Sequence, residues 1–306
     1  MDKVEKNDEF IMKPKVDFCF KELMVDEDIR KGFISAVLGI SKENIEETIL
    51  LPTYLRKGYA DDKLGILDVR VKINDGTQID MEIQLAMFAA WAERSLFYLC
   101  KMYTEQIHEG DDYDVLKKCI HIGILDFILF EQSEEYASSF HIWEDERRQK
   151  YSDKLELHVL ELPKLSKYEY PQTELLNWAK FINAEKKEEM EMLAKTDDSL
   201  EKAYEKLVNI SADEIKRLEY EERQKALRDY NSQMKSNWED GHKTGYAEVH
   251  MRGYTDGRNV GMIQGTVNTL KEFDMSKDAA VKIIVEKFSV SEEEARRLVE
   301  KYWNMN

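Results

Sequence analysis

The sequence predicts an α/β domain with a mixed β-sheet between helices, followed by a charged, all-helical extension. Three observations favour this fold class. Two stretches alternate polar and apolar residues around a turn, apolar residues recur at helical spacing on both sides of them, and the composition becomes strongly charged beyond residue 194. A chain of 306 residues can bury a substantial core and still carry an appendage. We therefore place a polar tail at 1–16, the α/β domain at 17–194 and the helical extension at 195–306.

The first two elements are predicted from apolar spacing. Residues 17–38 carry phenylalanine, leucine, isoleucine and valine near helical intervals, and Gly39 follows as a helix terminator. Residues 49–55 predict a strand that leads through the polar stretch 58–63 into a β-hairpin.

The hairpin consists of LDVRVKI (67–73) and QIDMEIQL (78–85), joined by NDGT. Side chains alternate between the two faces of a strand, so each strand is expected to bury an apolar face and expose a charged one. A three-residue loop ending at Gly76 keeps the apolar faces aligned, whereas a two-residue loop would place apolar residues opposite polar ones. This register places Asp68 directly opposite Glu82.

The Asp68 and Glu82 pair indicates a metal site. Directly opposed residues in a sheet have Cβ atoms roughly 4.5 to 5.5 Å apart, and like charges at that distance destabilise the sheet. A divalent cation removes that penalty, and Mg²⁺ is commonly held by one or two carboxylates with waters completing the shell. The alternative is an ordinary solvated face, on which opposed carboxylates are screened and bind nothing.

After the hairpin, helices and strands alternate again. Residues 89–107 predict a long helix closed by Gly110, and the apolar run 119–129 predicts a central strand covered on both faces. A charged turn within 141–162 separates two further strands, and residues 174–194 resume as helix. Three histidines in these strands have no second ligand at close spacing, which favours core or surface roles: His121, His141 and His158.

The extension is predicted to be helical throughout. Ser211 with Glu214, and Ser291 with Glu294, form the pattern of a capping box at a helix start. Glycine recurs at intervals of four or eight residues, roughly along one helix face, at Gly241, Gly245, Gly253, Gly257, Gly261 and Gly265. This row permits close approach of another helix; the alternative is a weak helix or a flexible link. Residues 276–303 predict two short amphipathic helices, either an interaction module or helices that pack on their neighbours.

Composition narrows the classes of function. The net charge of −17 and the pI near 5.0 exclude a strongly basic coat for non-specific nucleic-acid binding, so any DNA contact must be local. The start of the chain lacks the apolar core of a signal peptide, and the longest apolar run, 120–130, is too short to span a bilayer. Three cysteines without ligand spacing are typical of buried thiols in a reducing cytoplasm. We expect a cytoplasmic protein with no membrane contact and no organic cofactor.

The hairpin with Asp68 and Glu82-Ile83-Gln84, set between two helices, resembles the core of PD-(D/E)xK nucleases. Four segments resemble, in order, the bacterial recombination-promoting nuclease and transposase family of that class: DFCFKELM, LDVRVKINDGTQIDMEIQ, ERSLFYLCKMYTEQIHEGDDYDVLKKCIHIGILDF and LELHVLELPKL. The resemblance implies a restriction-endonuclease-like α/β core and Mg²⁺-dependent endonucleolytic cleavage of DNA, with Mn²⁺ as a substitute ion. It also implies a link with recombination, mobile elements or phage defence.

The resemblance assigns roles to the hairpin residues. Asp68 and Glu82 would coordinate the metal, with the Ile83 carbonyl as a third ligand. Gln84 departs from the family pattern, because lysine usually stands there. Glutamine can hydrogen-bond a water but supplies no charge, so another cation must substitute.

Two lysines are candidates for that cation. Lys21 lies in the first helix, within the matching segment DFCFK, and Lys72 lies on the same strand face as Asp68. We favour Lys21, since an ordinary solvated role is the better interpretation of Lys72. Asp17, one helical turn before Lys21, would hold this lysine, accept a second metal's waters or cap the helix.

The helix after the hairpin supplies two more candidates. Arg94 and Tyr98 lie four residues apart on it, within the family-like block ERSLFY. Arg94 is suited to bidentate contact with a phosphate. The alternative is an ion pair with a nearby carboxylate such as Asp61 or Asp62.

Three functions are compatible with the sequence. A Mg²⁺-dependent DNA endonuclease would act as a homo-oligomer, because one active site cuts one strand and duplex cleavage generally needs two. A non-catalytic protein with the same fold, using its helical tail for self-association or partner recruitment, is favoured by Gln84 and by the negative charge. Cleavage of RNA would share the same ion chemistry, although the resemblance favours DNA.

Overall fold

A computed structural model of the chain describes residues 10–55 and 63–304. The strands are β1 (Thr48–Leu51), β2 (Tyr54–Leu55), β3 (Gly65–Ile66), β4 (Val69–Ile73), β5 (Thr77–Gln84), β6 (Cys119–Leu125), β7 (Ala137–Trp143) and β8 (Lys150–Glu161). The α-helices are α1 (Asp17–Met24), α2 (Glu27–Leu38), α3 (Trp91–Thr104), α4 (Glu174–Asn183), α5 (Lys187–Ala194), α6 (Asp198–Ala212), α7 (Glu214–Glu272), α8 (Lys277–Phe288) and α9 (Glu292–Trp303).

The centre of the fold is a six-stranded mixed sheet with strand order β1-β4-β5-β6-β8-β7. β5, β6 and β8 run parallel, and the other neighbouring pairs are antiparallel. All residues of β6 are buried, as expected for a central strand covered on both faces. The predicted fold class, a mixed sheet flanked by helices with a helical C-terminal region, is confirmed.

The hairpin has the predicted register. Arg70 pairs with Asp80, and Ile73 pairs with Thr77, so the three residues between β4 and β5 form the loop. Gly76 in this loop has a φ of 94°, a conformation that glycine adopts without strain. The faces of the two strands are therefore aligned as the alternation predicts.

The prediction that the polar face of the hairpin is exposed was wrong. Asp80 is 0 % exposed and Glu82 1 % exposed, because α3 covers this face and buries Trp91 and Tyr98 against it. Alternation identifies which side chains share a face, but a later helix decides whether that face meets water. The carboxylates of Asp80 and Glu82 consequently lie in a low-dielectric environment, where their interactions with neighbouring charges are stronger than in water.

Several predicted elements are divided. The predicted helix 17–38 is two helices, because the Asp26 side chain accepts hydrogen bonds from the backbone N–H groups of Asp28 and Ile29 and starts α2. Gly39, with a φ of 63°, ends α2 as predicted. The predicted strand 49–55 is interrupted at Pro52, so that β1 joins the main sheet and β2 pairs with β3.

Later boundaries also shift. The predicted strand 119–129 ends at Leu125, and the predicted helix 89–107 is the shorter α3. The predicted helix 174–194 is divided at Ala184, whose extended backbone separates α4 from α5. The two strands predicted around a charged turn are confirmed as β7 and β8, and the two short C-terminal helices as α8 and α9.

The predicted capping box at Ser211 was wrong. Ser211 lies inside α6, where its Oγ donates to the Leu207 carbonyl at 2.6 Å and accepts the Met12 N–H at 3.0 Å. Asp213 caps α7 instead, accepting from the N–H groups of the next helix. At the second predicted box, Ser291 Oγ accepts the Glu294 N–H at 3.2 Å.

The chain divides into two compact units, residues 1–228 and 229–306. The predicted boundary after residue 194 lies within the first unit, because α6 contributes Leu200 and Leu207 to the core formed by α1, α2, α4 and the sheet. Residues 10–16 of the predicted tail also pack onto this core. The second unit has its own core from the end of α7 together with α8 and α9.

Two further observations concern the described part of the chain. None of its helices is long and apolar enough to cross a membrane. Its cysteines are free; Cys19 and Cys119 are buried as expected, whereas Cys100 is exposed.

Gly32 marks a close contact between α2 and α6. A Cβ placed on it would overlap the Ser199 side chain in α6 and lie 3.2 Å from Trp178 Cζ2. Gly32→Ala is expected to lower the free energy of unfolding by about 1–3 kcal/mol, because overpacking outweighs the gain in helix propensity of about 1 kcal/mol. Urea denaturation measures this. Gly265→Ala, where nothing lies within 4 Å of the added Cβ, is the control. An unchanged midpoint for Gly32→Ala would mean that α2 and α6 separate without cost.

Candidate active site

Asp68 joins the hairpin to the first helix. It lies in the bend immediately before β4, and the β4–β5 register, continued by one pair, places it across from Glu82. Its Oδ1 lies 2.7 Å from Lys21 Nζ, and its Oδ2 accepts a hydrogen bond from the Ile83 N–H at 3.3 Å. The Asp68 carboxylate is thus held by a cation from α1 and by the backbone of β5.

Glu82 is the buried member of the carboxylate pair. Neither of its carboxylate oxygens accepts a hydrogen bond from the described residues. The nearest cation is Arg94, whose Nη2 lies 3.5 Å from Glu82 Oε1. Burial raises the pKa of Glu82 well above its usual range, the Asp80 carboxylate raises it further, and Arg94 opposes the shift. The pocket therefore disfavours a charge on Glu82 unless further positive charge is supplied.

Gln84 holds the guanidinium of Arg94. Its side-chain Oε1 accepts a hydrogen bond from Arg94 Nη1 at 3.3 Å, and its Nε2 donates to the Ala86 carbonyl at 3.0 Å. Arg94 also lies over aromatic rings, with Cζ 5.3 Å from the Tyr98 ring centroid and 5.9 Å from the Trp91 ring centroid. Its ion-pair partner is Glu82. Asp61 and Asp62, the alternative partners, lie outside the described residues.

Sequence reasoning missed a second buried pair behind Glu82. His121 Nδ1 lies 2.7 Å from Asp80 Oδ2, both side chains are fully buried, and burial raises the pKa of Asp80 while the hydrogen bond with His121 opposes the shift. Gly123, on the same face of β6, leaves room for Trp91, because a Cβ there would lie 2.6 Å from Trp91 Cζ2. The available signal was that His121 is the one strongly polar side chain in the otherwise apolar strand 119–125.

The buried polar atoms without a hydrogen-bond partner lie together. Among the described residues they are Asp80 Oδ1, Glu82 Oε1 and Oε2, Trp91 Nε1, Arg94 Nε and His121 Nε2. Buried polar atoms are nearly always hydrogen-bonded in native proteins. Their concentration around the Glu82 carboxylate is typical of a ligand-binding site.

The remaining candidates occupy different places. Asp17 Oδ2 lies 3.6 Å from Lys21 Nζ, and Lys21 in turn contacts Asp68, so Asp17 lies next to the Asp68 end of the candidate site. Lys72 lies four residues along the chain from Asp68, with Arg70 between them on the same face, and it pairs with Gln78. The structure therefore brings Lys21 to the carboxylates and leaves Lys72 apart from them.

The donor set fits a hard divalent cation. Glu82 presents two buried oxygens that accept no hydrogen bond from the part of the chain that the structure describes, and Asp68 adds a further carboxylate. Oxygen donors of this kind suit Mg²⁺ and Mn²⁺. Within residues 10–55 and 63–304, no group of three or more histidine, cysteine, aspartate or glutamate side chains is arranged to hold a metal ion.

Comparison with known proteins identifies a family for most of the chain. The family described as PD-(D/E)XK nuclease family transposase matches residues 14–237, which include every candidate site residue. No curated protein and no solved structure matches the chain. The family match indicates a nuclease-type function. The chain belongs to the PD-(D/E)XK nuclease family transposases.

Proposed function

We propose that the protein is a metal-dependent endonuclease that hydrolyses phosphodiester bonds in DNA. The observation that carries this proposal is the state of Glu82, a buried carboxylate across from Asp68 whose two oxygens accept no hydrogen bond from the described residues and whose nearest cation, Arg94, lies 3.5 Å away. Burying a carboxylate without hydrogen bonds is costly, and a divalent cation would compensate that cost. The family match supports nuclease chemistry.

Asp68 and Glu82 would hold the ion, with the Ile83 carbonyl as the third protein ligand. When bound, Mg²⁺ or Mn²⁺ would activate a water and stabilise charge on the scissile phosphate. Lys21 Nζ lies 2.7 Å from the Asp68 carboxylate and orients it, and Asp17 in turn lies 3.6 Å from Lys21 Nζ. α1 thus fixes one side of the site.

In this proposal Arg94 supplies the positive charge of the lysine that usually stands at the position of Gln84. Gln84 is neutral, but it binds Arg94 beside Glu82 and so places a guanidinium near the position that the lysine side chain would reach. A guanidinium stays charged and can contact phosphate oxygens through two N–H groups. Tyr98 supports it by stacking. Arg94 is therefore our first candidate for the positive charge, and Lys21, which sequence reasoning favoured, is the second.

DNA is the proposed substrate, because the family is one of transposases. A role in recombination, in mobile elements or in phage defence follows from the family resemblance and stays a proposal. RNA remains the alternative substrate, since the ion chemistry acts on either phosphodiester backbone.

The test is nicking of supercoiled plasmid by the parent, Asp68→Ala and Glu82→Ala in Mg²⁺, Mn²⁺ or EDTA. We expect nicking that needs the ion and is lost in both variants, because each removes a ligand. Lys72→Ala, a charge removal apart from the site, should nick like the parent. A labelled RNA in parallel reactions separates the two substrates.

A second function is a nuclease-fold protein that binds DNA or protein without cutting. Gln84 in place of lysine and the net charge of −17 favour it. It predicts no nicking in either ion and no stabilisation of the parent by Mn²⁺. Nicking that survives both Asp68→Ala and Glu82→Ala would equally overturn the proposed active site.

A further inference from the structure

The loop between β5 and α3 is apolar and exposed. Residues 85–90 have the sequence LAMFAA, without a polar side chain, and residues 87–90 are all exposed. Met87 is 65 % exposed and Phe88 42 % exposed. Contiguous exposed apolar residues are typical of interaction sites, whereas isolated ones are normal on any protein surface. We call residues 85–90 the apolar loop.

The apolar loop lies directly beside the candidate active site. It follows Gln84 in the chain, and the guanidinium carbon of Arg94 lies 6.0 Å from the Phe88 ring centroid. The same guanidinium has its Nη2 3.5 Å from Glu82 Oε1. Arg94 is therefore next to both the exposed ring and the buried carboxylate. A substrate phosphate bound near Arg94 would bring a neighbouring base within reach of the Phe88 ring.

Hydrogen bonds hold the apolar loop in place. Its first half is fixed by Gln84, whose Nε2 donates to the Ala86 carbonyl at 3.0 Å. Its second half is fixed by the buried Trp91, whose backbone N–H donates to the Phe88 carbonyl at 3.1 Å. The backbone of the loop is thus tied to the site while the Phe88 ring stays partly in water. A contact surface that is already ordered loses less entropy when it binds.

The charge of the protein favours unpaired bases over duplex DNA as the partner of this ring. Non-specific affinity for a duplex comes from neutralising phosphates, and a net charge of −17 leaves little capacity for that. An aromatic ring adds affinity in another way, by stacking on the face of any base. Bases within a duplex are already stacked on each other, so a ring reaches them only after a costly unstacking step. An unpaired base offers its face without that cost.

We propose that the active site takes DNA in which bases next to the cut are unpaired, and that Phe88 stacks on one of them. The proposal rests on the proposed function, because it places DNA at Glu82. It adds the class of substrate, which is a single strand, a gap or a loop rather than a continuous duplex. Phe88 contacts a base and not the reacting phosphate, so it determines specificity.

Binding without cleavage tests this inference apart from the chemistry. The full-length Glu82→Gln variant is the background, because it lacks a ligand of the ion and a carboxylate that would repel phosphate. Fluorescence anisotropy compares a labelled DNA strand alone with the same strand annealed to its complement. We expect the single strand to bind at least about tenfold more tightly. Adding Phe88→Ala should weaken single-strand binding at least about fivefold and leave duplex binding unchanged.

Salt dependence separates stacking from charge. Removing a stacking ring should lower the affinity by the same factor at every salt concentration, whereas losing a phosphate contact changes the slope. Phe88→Trp, which keeps an aromatic face, should bind like the Glu82→Gln background. Phe88→Leu keeps apolar bulk without a ring and should bind as weakly as Phe88→Ala. These two variants distinguish stacking from general apolar contact.

Tyr151→Ala is the matched control for loss of an exposed ring. Tyr151 is 84 % exposed and lies on β8, eight residues before Val159. Val159 pairs with Gly123, which pairs with Glu82, so Tyr151 lies roughly 25 Å along the sheet from the site. Its removal should leave single-strand binding unchanged.

The outcomes separate this inference from the proposed endonuclease. Equal or tighter binding of the duplex, or single-strand binding that Phe88→Ala or Phe88→Leu leaves unchanged, would overturn the inference even if plasmid is nicked. Absence of nicking by the parent, together with single-strand binding that depends on Phe88, would remove the endonuclease and keep Phe88 as a base-binding residue. A labelled RNA of the same sequence, if it bound more tightly than the DNA strand, would overturn DNA as the partner.

Discussion

The Glu82→Gln variant is expected to lose more than about 100-fold of its DNA cleavage in Mg²⁺ or Mn²⁺, while remaining at least as stable as the parent in EDTA. Loss of an outer-shell partner of a metal site already costs about 10–100-fold, so loss of a ligand costs more. Stability is kept because Glu82 has no hydrogen bond to lose among the described residues, and a neutral amide is less costly to bury than a carboxylate.

Thermal denaturation with and without Mn²⁺ measures the second half of this prediction. Binding to the folded state stabilises it by mass action, so Mn²⁺ should raise the Tm of the parent but not that of Glu82→Gln. The matched control is Glu161→Gln. Glu161 is equally buried but accepts hydrogen bonds from the Leu129 and Phe130 N–H groups and pairs with Lys164 at 2.8 Å.

The two buried glutamates should respond in opposite ways. Breaking the buried pair of Glu161 with Lys164 is expected to cost about 3–5 kcal/mol of stability without abolishing the Mn²⁺ response. If Glu82→Gln instead destabilised the metal-free protein as strongly as Glu161→Gln, Glu82 would be a structural residue and its assignment as a ligand would fail.

Arg94→Met is expected to lower cleavage by about 10²–10³-fold, the effect of removing one preorganised group that stabilises charge in a transition state. Methionine keeps much of the apolar stem that packs near Trp91 and Tyr98 and removes the charge. Initial rates of nicking at saturating DNA measure the effect on the chemical step.

Combining Arg94→Met with Gln84→Lys tests whether Arg94 stands in for the usual lysine. Lysine at this position restores the usual family residue, so the Arg94→Met/Gln84→Lys double variant should recover most of the lost rate. Lys72→Met serves as the control and should change the rate less than about twofold, like most surface substitutions. If Lys21→Met abolished cleavage while Arg94→Met did not, the positive charge would come from α1, as the sequence alone suggested.

The hairpin shows which features of the site local sequence patterns can predict. Alternation and the glycine of a three-residue loop predicted the register of β4 with β5, and hence the approach of Asp68 to Glu82. Both signals act between residues that are close in the sequence. The burial of Asp80 and Glu82 depends on α3, which folds back over the sheet, and no pattern within the hairpin contains that information.

The same distinction explains the other differences. His121 meets Asp80 because β6 pairs parallel to β5 in one particular register, which the turn chemistry of neither strand specifies. Ser211 has the residue spacing of a helix cap but bonds to Met12, almost two hundred residues earlier in the chain. Local propensity sets what a residue can do, and tertiary contacts decide which option is used.

The connectivity of the hairpin also bears on the order of folding. β4 and β5 close across a three-residue loop, whereas Lys21 and Arg94 arrive on helices that must first dock onto the sheet. Local hairpins form faster than long-range contacts, so we expect Asp68 and Glu82 to meet before Lys21 and Arg94 reach them. During that interval dissolved salt is the only screen between the two carboxylates, so higher ionic strength should speed this early step of folding.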